Sequence, residues 1–371
     1  MTKALKLIEA PPIELQPQFD LDLHNGGVAG GDDESLDISF MSKSFCMSGL
    51  PIRRQFERDS VTRKTLSPQR ETSLFSRHDD TFSFSVQGHT LVQPGGRQIP
   101  IGIPYGARSR CLILWTTTQA RVTGSRWLEL GRINEWLTDI GMSAHPETAA
   151  AAKEQLIRLT FARFSMSFKE TKGNGPKREM FKNLSLIETS VFGEEDINNF
   201  ADNNIAKVRF PLGIQLSTQA YEHFTGNDVI PVSTESLREI SNNAMAIDIF
   251  LFLSFRLPLI PSDTTEPVSW KKLAKQFGAQ GDTGTRFRHS FEASVDKALK
   301  AYRGADVQVT DEGLLLRYTP HPGTRRTLIA VPKTLPTDGV PRLRNRIAPP
   351  PGMKPDAKKT GDSQLLMDFK A

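Results

Sequence analysis

The sequence predicts an α+β fold made of two similar domains in tandem, with a tail at each end. Two observations support this prediction. Between about residues 81 and 325 one order of elements occurs twice: a helix, a short strand, two more helices and a β-hairpin. The segments outside this region show no sustained hydrophobic periodicity, which is typical of chains that bury little apolar surface. A chance match to this order would have to occur twice in succession.

The first copy, in a domain placed at residues 81–216, starts with a helical run at 105–123 (YGARSRCLILWTTTQARVT) after Pro104. A strand-like SRWLELG follows, then the helix RINEWLTDIGM and a longer helix from Pro146. Apolar residues alternate at 164, 166 and 168 and again at 184 and 186, as they do in paired strands. These features predict a helix, a strand, two helices and a hairpin.

The second copy, in a domain placed at 217–325, starts with the apolar helix 244–257. That run contains Asp248 and Arg256 and is shorter than the roughly 20 apolar residues that span a bilayer, so it predicts a buried core helix. A strand-like VSW, the helices KKLAKQFG and TGTRFRHSFEASVDKALKAY, and the hairpin DVQVTDEGLLLRY complete the copy. This is the order of a winged-helix domain, so we expect two tandem winged-helix domains.

The two ends of the chain are expected to be disordered tails, at residues 1–80 and 326–371. The first forty residues hold two lysines and eight acidic residues, a net charge of −6. The whole chain has a net charge of +5, so the rest of it carries +11. A basic body beside an acidic tail indicates a polyanionic partner.

The last helix of the second copy has the pattern of a recognition helix that reads DNA. Phe287, Phe291 and Val295 recur at helical spacing with residues 298 and 302, so they predict one buried face. Arg286, Arg288 and His289 stand near the start of the helix, where recognition helices contact base edges. Thr283 or Thr285 is expected to cap the helix. The alternative is that these charges simply face solvent.

Further residues are predicted to contact DNA in both copies. In the second copy they are Thr285, Ser290, Lys297, Lys271, Lys272 and Lys275, with the lysines on backbone phosphates. In the first copy they are Arg108, Arg110, Thr148, Lys153, Gln155 and Arg158, and the hairpin loop residues Lys172, Lys177 and Arg178. The second hairpin has an acidic tip (Asp311, Glu312), which we do not expect to lie on DNA.

Motifs of catalysis or metal binding are missing from the sequence. It has no phosphate-binding G-x-x-x-x-G-K-[ST], no H-E-x-x-H and no G-x-S-x-G. Its two cysteines, Cys46 and Cys111, lie far apart, so they predict neither a disulfide framework nor a zinc cluster. We therefore expect a protein of a reducing cytoplasm that is not an enzyme and needs no metal or cofactor.

The C-terminal segment QLLMDF resembles the peptide that bacterial proteins insert into the pocket of the sliding clamp. It follows a long stretch rich in proline and lysine. The glutamine would bond at the pocket rim and the apolar residues would fill the pocket. The predicted clamp-binding residues are Gln364, Leu365, Leu366, Met367 and Phe369.

Several blocks together resemble plasmid-encoded replication initiators of the RepA type. They are GIPYGARSRCLILWTTTQA, SRWLELG, LTDIGM, DIFLFLSFRL and ALKAYRGADVQVTDEGLLLR, spread over about residues 100–320. The resemblance implies two winged-helix domains, binding to direct repeats in a plasmid origin, duplex opening, and recruitment of the host helicase, its loader and the host initiator. It also implies a first domain that serves dimerisation in a monomer–dimer equilibrium. HPETAAAA departs from the family pattern before the third helix of the first copy.

We therefore expect a replication initiator that reads bases mainly through its second domain. The alternative is a transcriptional repressor with the same domains and no role in replication. A nuclease or relaxase is a third reading, for which the sequence offers no metal or tyrosine site.

Overall fold

The computed structural model describes residues 38–59, 62, 64–79, 81–169, 179–278 and 284–322. The helices in these ranges are α1 (Lys43–Met47), α2 (Gly106–Thr123), α3 (Ile133–Asp139), α4 (Pro146–Phe161), α5 (Glu194–Ala201), α6 (Thr218–Thr225), α7 (Thr234–Ile240), α8 (Ala244–Arg256), α9 (Trp270–Phe277) and α10 (Thr285–Ala301), with 3-10 turns at Ile205–Lys207 and Leu257–Leu259. The strands are β1 (Ile38–Ser42), β2 (Leu74–His78), β3 (Phe82–Gln87), β4 (His89–Val92), β5 (Gln98–Gly102), β6 (Trp127–Glu129), β7 (Arg163–Lys169), β8 (Glu179–Ser185), β9 (Ile187–Ser190), β10 (Gly213–Leu216), β11 (Val229–Ser233), β12 (Thr265–Ser269), β13 (Val307–Val309) and β14 (Gly313–Arg317). The α+β class predicted from the sequence is confirmed.

The second copy has its predicted elements in their predicted places. Its three strands form an antiparallel sheet in the order β12-β14-β13, in which Val268 pairs with Leu314. Helix α8 is buried along almost its whole length, as expected of a core helix, and α10 packs against it through the ring pair Phe250–Tyr302. The apolar stripe on α10 therefore faces the interior.

The first copy has the same order of elements but different strand partners. Strand β6 lies in a sheet of order β6-β10-β9, and among the described residues it forms no ladder with the hairpin strands. The hairpin strands β7 and β8 instead continue a sheet of order β2-β3-β7-β8, in which Phe84 pairs with Met166. Thus the order of elements repeats, but the sheets do not.

Part of the predicted N-terminal tail belongs to the folded body. Strand β1 pairs with β11 along five residues, and β2 is the outer strand beside β3. Phe45 and Leu50 from the segment between them, and Phe75 from β2, are buried in the core. The prediction of a disordered tail over residues 1–80 is therefore wrong for the described residues from 38 onward. Residues 1–37 and 323–371 lie outside the described part of the chain.

One apolar core runs through both copies. It includes Leu112 and Trp115 of α2 together with Phe250 of α8, so the first helices of the two copies share it. A smaller cluster on the far side of α4 joins Ile157 to Ile99 and Phe200. Both cysteines are buried and unpaired. Among the described helices, none is long and apolar enough to cross a membrane.

Candidate nucleic-acid interface

Helix α9 presents lysines to solvent and apolar residues to the core. It starts at Ser269, whose hydroxyl accepts a hydrogen bond from the backbone N–H of Lys272 at 3.3 Å. Leu273 and Phe277 are buried. Lys271, Lys272 and Lys275 are exposed, in the places that the sequence predicted for phosphate contacts.

Helix α10 has one buried face and one exposed face. Phe287, Phe291 and Val295 are buried, as their spacing predicted. The exposed residues are Thr285, Arg286, His289, Ser290, Ala293, Asp296, Lys297 and Lys300, so the helix shows four basic side chains and one acidic side chain to solvent. Small residues therefore lie between the basic ones, which allows an extended partner to approach the helix closely.

The start of α10 differs from the prediction. Its N-cap residue is Gly284, which has no capping side chain, so Thr285 is the first helical residue and not the cap. Thr283 lies outside the described residues. Backbone N–H groups of a first turn that lack a side-chain partner are suited to bind an anion.

Arg288 is not free on the exposed face. Its Nε donates to Glu292 at 2.8 Å, and its Nη2 donates to Asp311 at 3.1 Å. The guanidinium also lies over the ring of Trp270, 5.1 Å from its centre. The hydrogen bonds to Glu292 and Asp311 raise the pKa of Arg288 above its usual value. Of the three predicted base readers, Arg286 and His289 are exposed, and Arg288 is held by the protein itself.

The corresponding helix of the first copy, α4, is covered. Thr148 is buried, and the side-chain Oε1 of Gln155 accepts a hydrogen bond from the Tyr105 backbone N–H at 2.7 Å. Only 1% of Arg158 is exposed, and its buried guanidinium donates to Glu71 at 2.7 Å and to Glu154 at 3.0 Å. The prediction that Thr148, Gln155 and Arg158 contact DNA is therefore wrong for this conformation. Lys153 is partly exposed, and burial lowers its pKa.

Arg110 is also interior and joins the two copies. It is 3% exposed and forms a two-pronged ion pair with Asp248 of α8, at 2.5 and 2.6 Å. Its remaining N–H groups donate to the carbonyl oxygens of Gly106, Leu50 and Pro51. The prediction that Arg110 contacts DNA is wrong, because every donor of its fork has a partner inside the fold. Arg108 is partly buried.

The remaining predicted site residues fall outside the described part of the chain. They are Lys172, Lys177 and Arg178 of the first hairpin loop, and the clamp-binding residues Gln364, Leu365, Leu366, Met367 and Phe369. The sequence reasoning did not find the partners of Arg288. The spacing of Arg288 and Glu292 on one helix could have indicated a pair, but Asp311 lies 23 residues away in sequence.

A family model matches part of the chain. A family model described as plasmid-encoded RepA protein matches residues 103–272. This segment is RepA-like. The resemblance predicted from the sequence is thereby confirmed from α2 to the first residues of α9, while α10 lies beyond the matched segment. No curated protein matched the sequence.

Two solved structures are similar to this chain. One is a crystal structure of selenomethionine derivatives of domains 2 and 3 of RctB, with 11% identity, 72% of this chain and 88% of that chain covered, and a TM-score of 0.41. The other is a crystal structure of RctB domains 2-3, with 11% identity, 71% and 86% covered, and a TM-score of 0.37. At these TM-scores the likeness carries no functional argument.

Proposed function

We propose that this protein is a plasmid replication initiator that binds origin DNA through α9 and α10. The observation that carries the proposal is the exposed face of α10, where Arg286 and His289 stand at the start of a helix whose opposite face is buried. The match of residues 103–272 to plasmid-encoded RepA protein supports the biological setting.

The second copy would act as a winged-helix domain with α10 in the major groove. Arginine can donate two hydrogen bonds to guanine, so Arg286 is the proposed principal base reader, with His289 beside it. Lys271, Lys272 and Lys275 would contact phosphates and fix the position of the domain. In this arrangement α9 and α10 supply both the sequence preference and most of the salt-dependent affinity.

The first copy would hold a partner copy of the chain and not read bases. Its α4 is covered, and its outer strand β8 exposes the ring of Phe181, which is 71% accessible. The protein would open the origin by binding several repeats and deforming the DNA between them, with no catalytic step of its own. Host helicase, its loader and the host initiator would then assemble there, and the clamp would be recruited through the C-terminal peptide.

A footprint on DNA around the gene, at two salt concentrations, tests this proposal. We expect protection of several evenly spaced direct repeats, with distorted A·T-rich DNA beside them. Protection of one inverted repeat over the promoter would favour the alternative, a winged-helix repressor. No protection at either salt concentration would overturn DNA binding by α10.

Replacement of Arg286 tests the assignment of the base reader. Arg286→Ala is expected to weaken binding to the protected sequence by about 1–3 kcal/mol and to relax the preference at one base pair. Arg303→Ala is the matched control, because Arg303 is an exposed arginine just beyond the other end of α10. Equal affinity of Arg286→Ala and wild type for the cognate repeat would remove Arg286 from the readers.

A further inference from the structure

The guanidinium of Arg288 sits in a site built from three elements. Glu292 approaches it from the next turn of α10, and Asp311 from the turn between β13 and β14. Trp270, the first residue of α9, supplies the ring beneath it. The guanidinium thus contacts two carboxylates and one aromatic face.

Backbone contacts hold the turn that carries Asp311 in place. The Trp270 backbone N–H donates to the carbonyl of Glu312 at 3.0 Å, and the indole N–H donates to the carbonyl of Thr310 at 3.2 Å. The same ring packs edge-on against Phe291, with the ring centres 6.0 Å apart. Isolated surface ion pairs contribute little because both side chains must be ordered. Here the turn, the tryptophan and the helix are already ordered by these other contacts.

The position of this site bears on DNA binding. Arg288 lies in the first turns of α10, between the exposed Arg286 and His289 in sequence, where a free arginine would be drawn to phosphates. Its two carboxylate partners cancel that attraction. The Asp311 side chain is 100% exposed, so it also presents a negative charge at this end of the helix.

We propose that Glu292 and Asp311 are specificity-determining residues that mask Arg288 from DNA phosphates. Masking lowers affinity for DNA of any sequence, while Arg286 and His289 remain available to base edges. The difference in affinity between the specific sequence and DNA of any other sequence is thereby enlarged. This inference rests on the proposed function, and Arg288 becomes a positioning residue that holds the hairpin turn.

Asp311→Asn tests the masking. The substitution removes the charge that holds Nη2 of Arg288, while Glu292 still accepts a hydrogen bond from Nε. The freed side of the guanidinium adds at most about one phosphate contact, which steepens the salt dependence of log Kd by up to about 0.9 and tightens binding to an unrelated duplex about three- to tenfold at 0.1 M salt. Affinity for the protected origin sequence is expected to increase less. The ratio of origin affinity to affinity for the unrelated duplex therefore falls. Fluorescence anisotropy with both duplexes over a salt series measures these quantities.

Asp263→Asn is the control for net charge. Asp263 is exposed and lies just before β12. At that end of the sheet Thr265 pairs with Arg317, whereas the Ser269–Gly313 pair, near Trp270 and Asp311, is at the opposite end. Asp263→Asn changes the net charge by the same amount as Asp311→Asn, and it is expected to leave the salt dependence of DNA binding unchanged. An equal effect of Asp263→Asn and Asp311→Asn would overturn the proposal.

The double variant Arg288→Ala/Asp311→Asn separates masking from simple repulsion. If Asp311 acts through Arg288, the double variant binds the unrelated duplex no more tightly than Arg288→Ala alone. A gain that persists without Arg288 would mean that Asp311 merely repels DNA, and the proposal would be wrong.

Hydrogen exchange gives a readout without DNA. Both Arg288→Ala and Asp311→Asn are expected to speed exchange of the Trp270 backbone N–H. Faster exchange with unchanged binding to the unrelated duplex would mean that the contacts of Arg288 only stabilise the hairpin turn. That result would overturn the masking. If Arg286→Ala is without effect but Asp311→Asn steepens the salt dependence, the base-reading proposal fails and the masking stands.

Discussion

The buried ion pair between Arg110 and Asp248 allows a sharp test of how the two copies are joined. Arg110 is 3% exposed and Asp248 is 4% exposed, and they lie on the first helices of the two copies. Asp248→Asn keeps the shape of the side chain and removes its charge. One prong of the pair becomes a hydrogen bond from the charged guanidinium to a neutral amide oxygen. The other prong faces an amide N–H, which cannot accept a hydrogen bond.

The cost can be worked out from these contacts. Loss of one charge-assisted hydrogen bond costs about 1.5–3 kcal/mol, and weakening of the second adds about 1 kcal/mol. The guanidinium also stays buried without the Asp248 charge, and its other partners are the carbonyl oxygens of Leu50, Pro51 and Gly106. We therefore expect Asp248→Asn to lower the free energy of unfolding by about 3–5 kcal/mol, the range for removing one partner of a buried pair.

Urea denaturation followed by far-UV circular dichroism measures this change. Asp263→Asn, at an exposed carboxylate, is the matched control and is expected to stay within about 0.5 kcal/mol of wild type. The apolar double variant Arg110→Met/Asp248→Leu removes both charges and is expected to be clearly more stable than Asp248→Asn. A loss below about 1 kcal/mol for Asp248→Asn would refute the view that this pair is an essential link.

Two further predictions concern stability. Gly49→Ala is expected to cost about 1–3 kcal/mol in urea denaturation, because an added Cβ would stand 1.9 Å from the Asp248 carboxylate; a wild-type midpoint would contradict this. The second prediction concerns the pH dependence of stability at His223. Burial, and after it the nearby Lys182, lower the pKa of His223 to about 4, and Asp228 opposes this shift. Because the unfolded chain takes up this proton near pH 6.5, the histidine's contribution is full above that pH and falls by about 3 kcal/mol as the pH drops to 4. His223→Gln should lose less stability than wild type between pH 7 and 4.5, and parallel curves for the two proteins would count against the assignment.

The elements of the second copy could be predicted from the sequence because the pattern that defines each one lies within that element. The stripe of Phe287, Phe291 and Val295 fixes which face of α10 is buried, and therefore which face is exposed. The alternation before and after the turn near Asp311 likewise identifies the hairpin. Hydrophobic periodicity within one element was enough for these assignments.

The first copy could not be predicted in the same way because its partners come from distant parts of the chain. Gln155 and Arg158 look like surface residues of an amphipathic helix, but Tyr105 and Glu71 take up their hydrogen-bonding groups. Glu71 lies 87 residues before Arg158, in a segment whose few apolar residues show no period. Likewise, β1 becomes a strand because β11 pairs with it, which its own five residues do not reveal.

The two copies place comparable arginines in opposite settings. In α4, burial opposes the charge of Arg158, but Glu71 and Glu154 outweigh it and raise the pKa of the guanidinium above its usual value. In α10, Arg286 is exposed, while its neighbour Arg288 meets two carboxylates near the surface. Carboxylates thus pair with the arginines that hold the fold together. The exposed face of α10 keeps Arg286 and the lysines Lys297 and Lys300 at the surface. Under the proposed function, a copy of this order of elements would bind DNA where its third helix keeps basic side chains on an exposed face, as α10 does with Arg286 and α4 does not with Arg158.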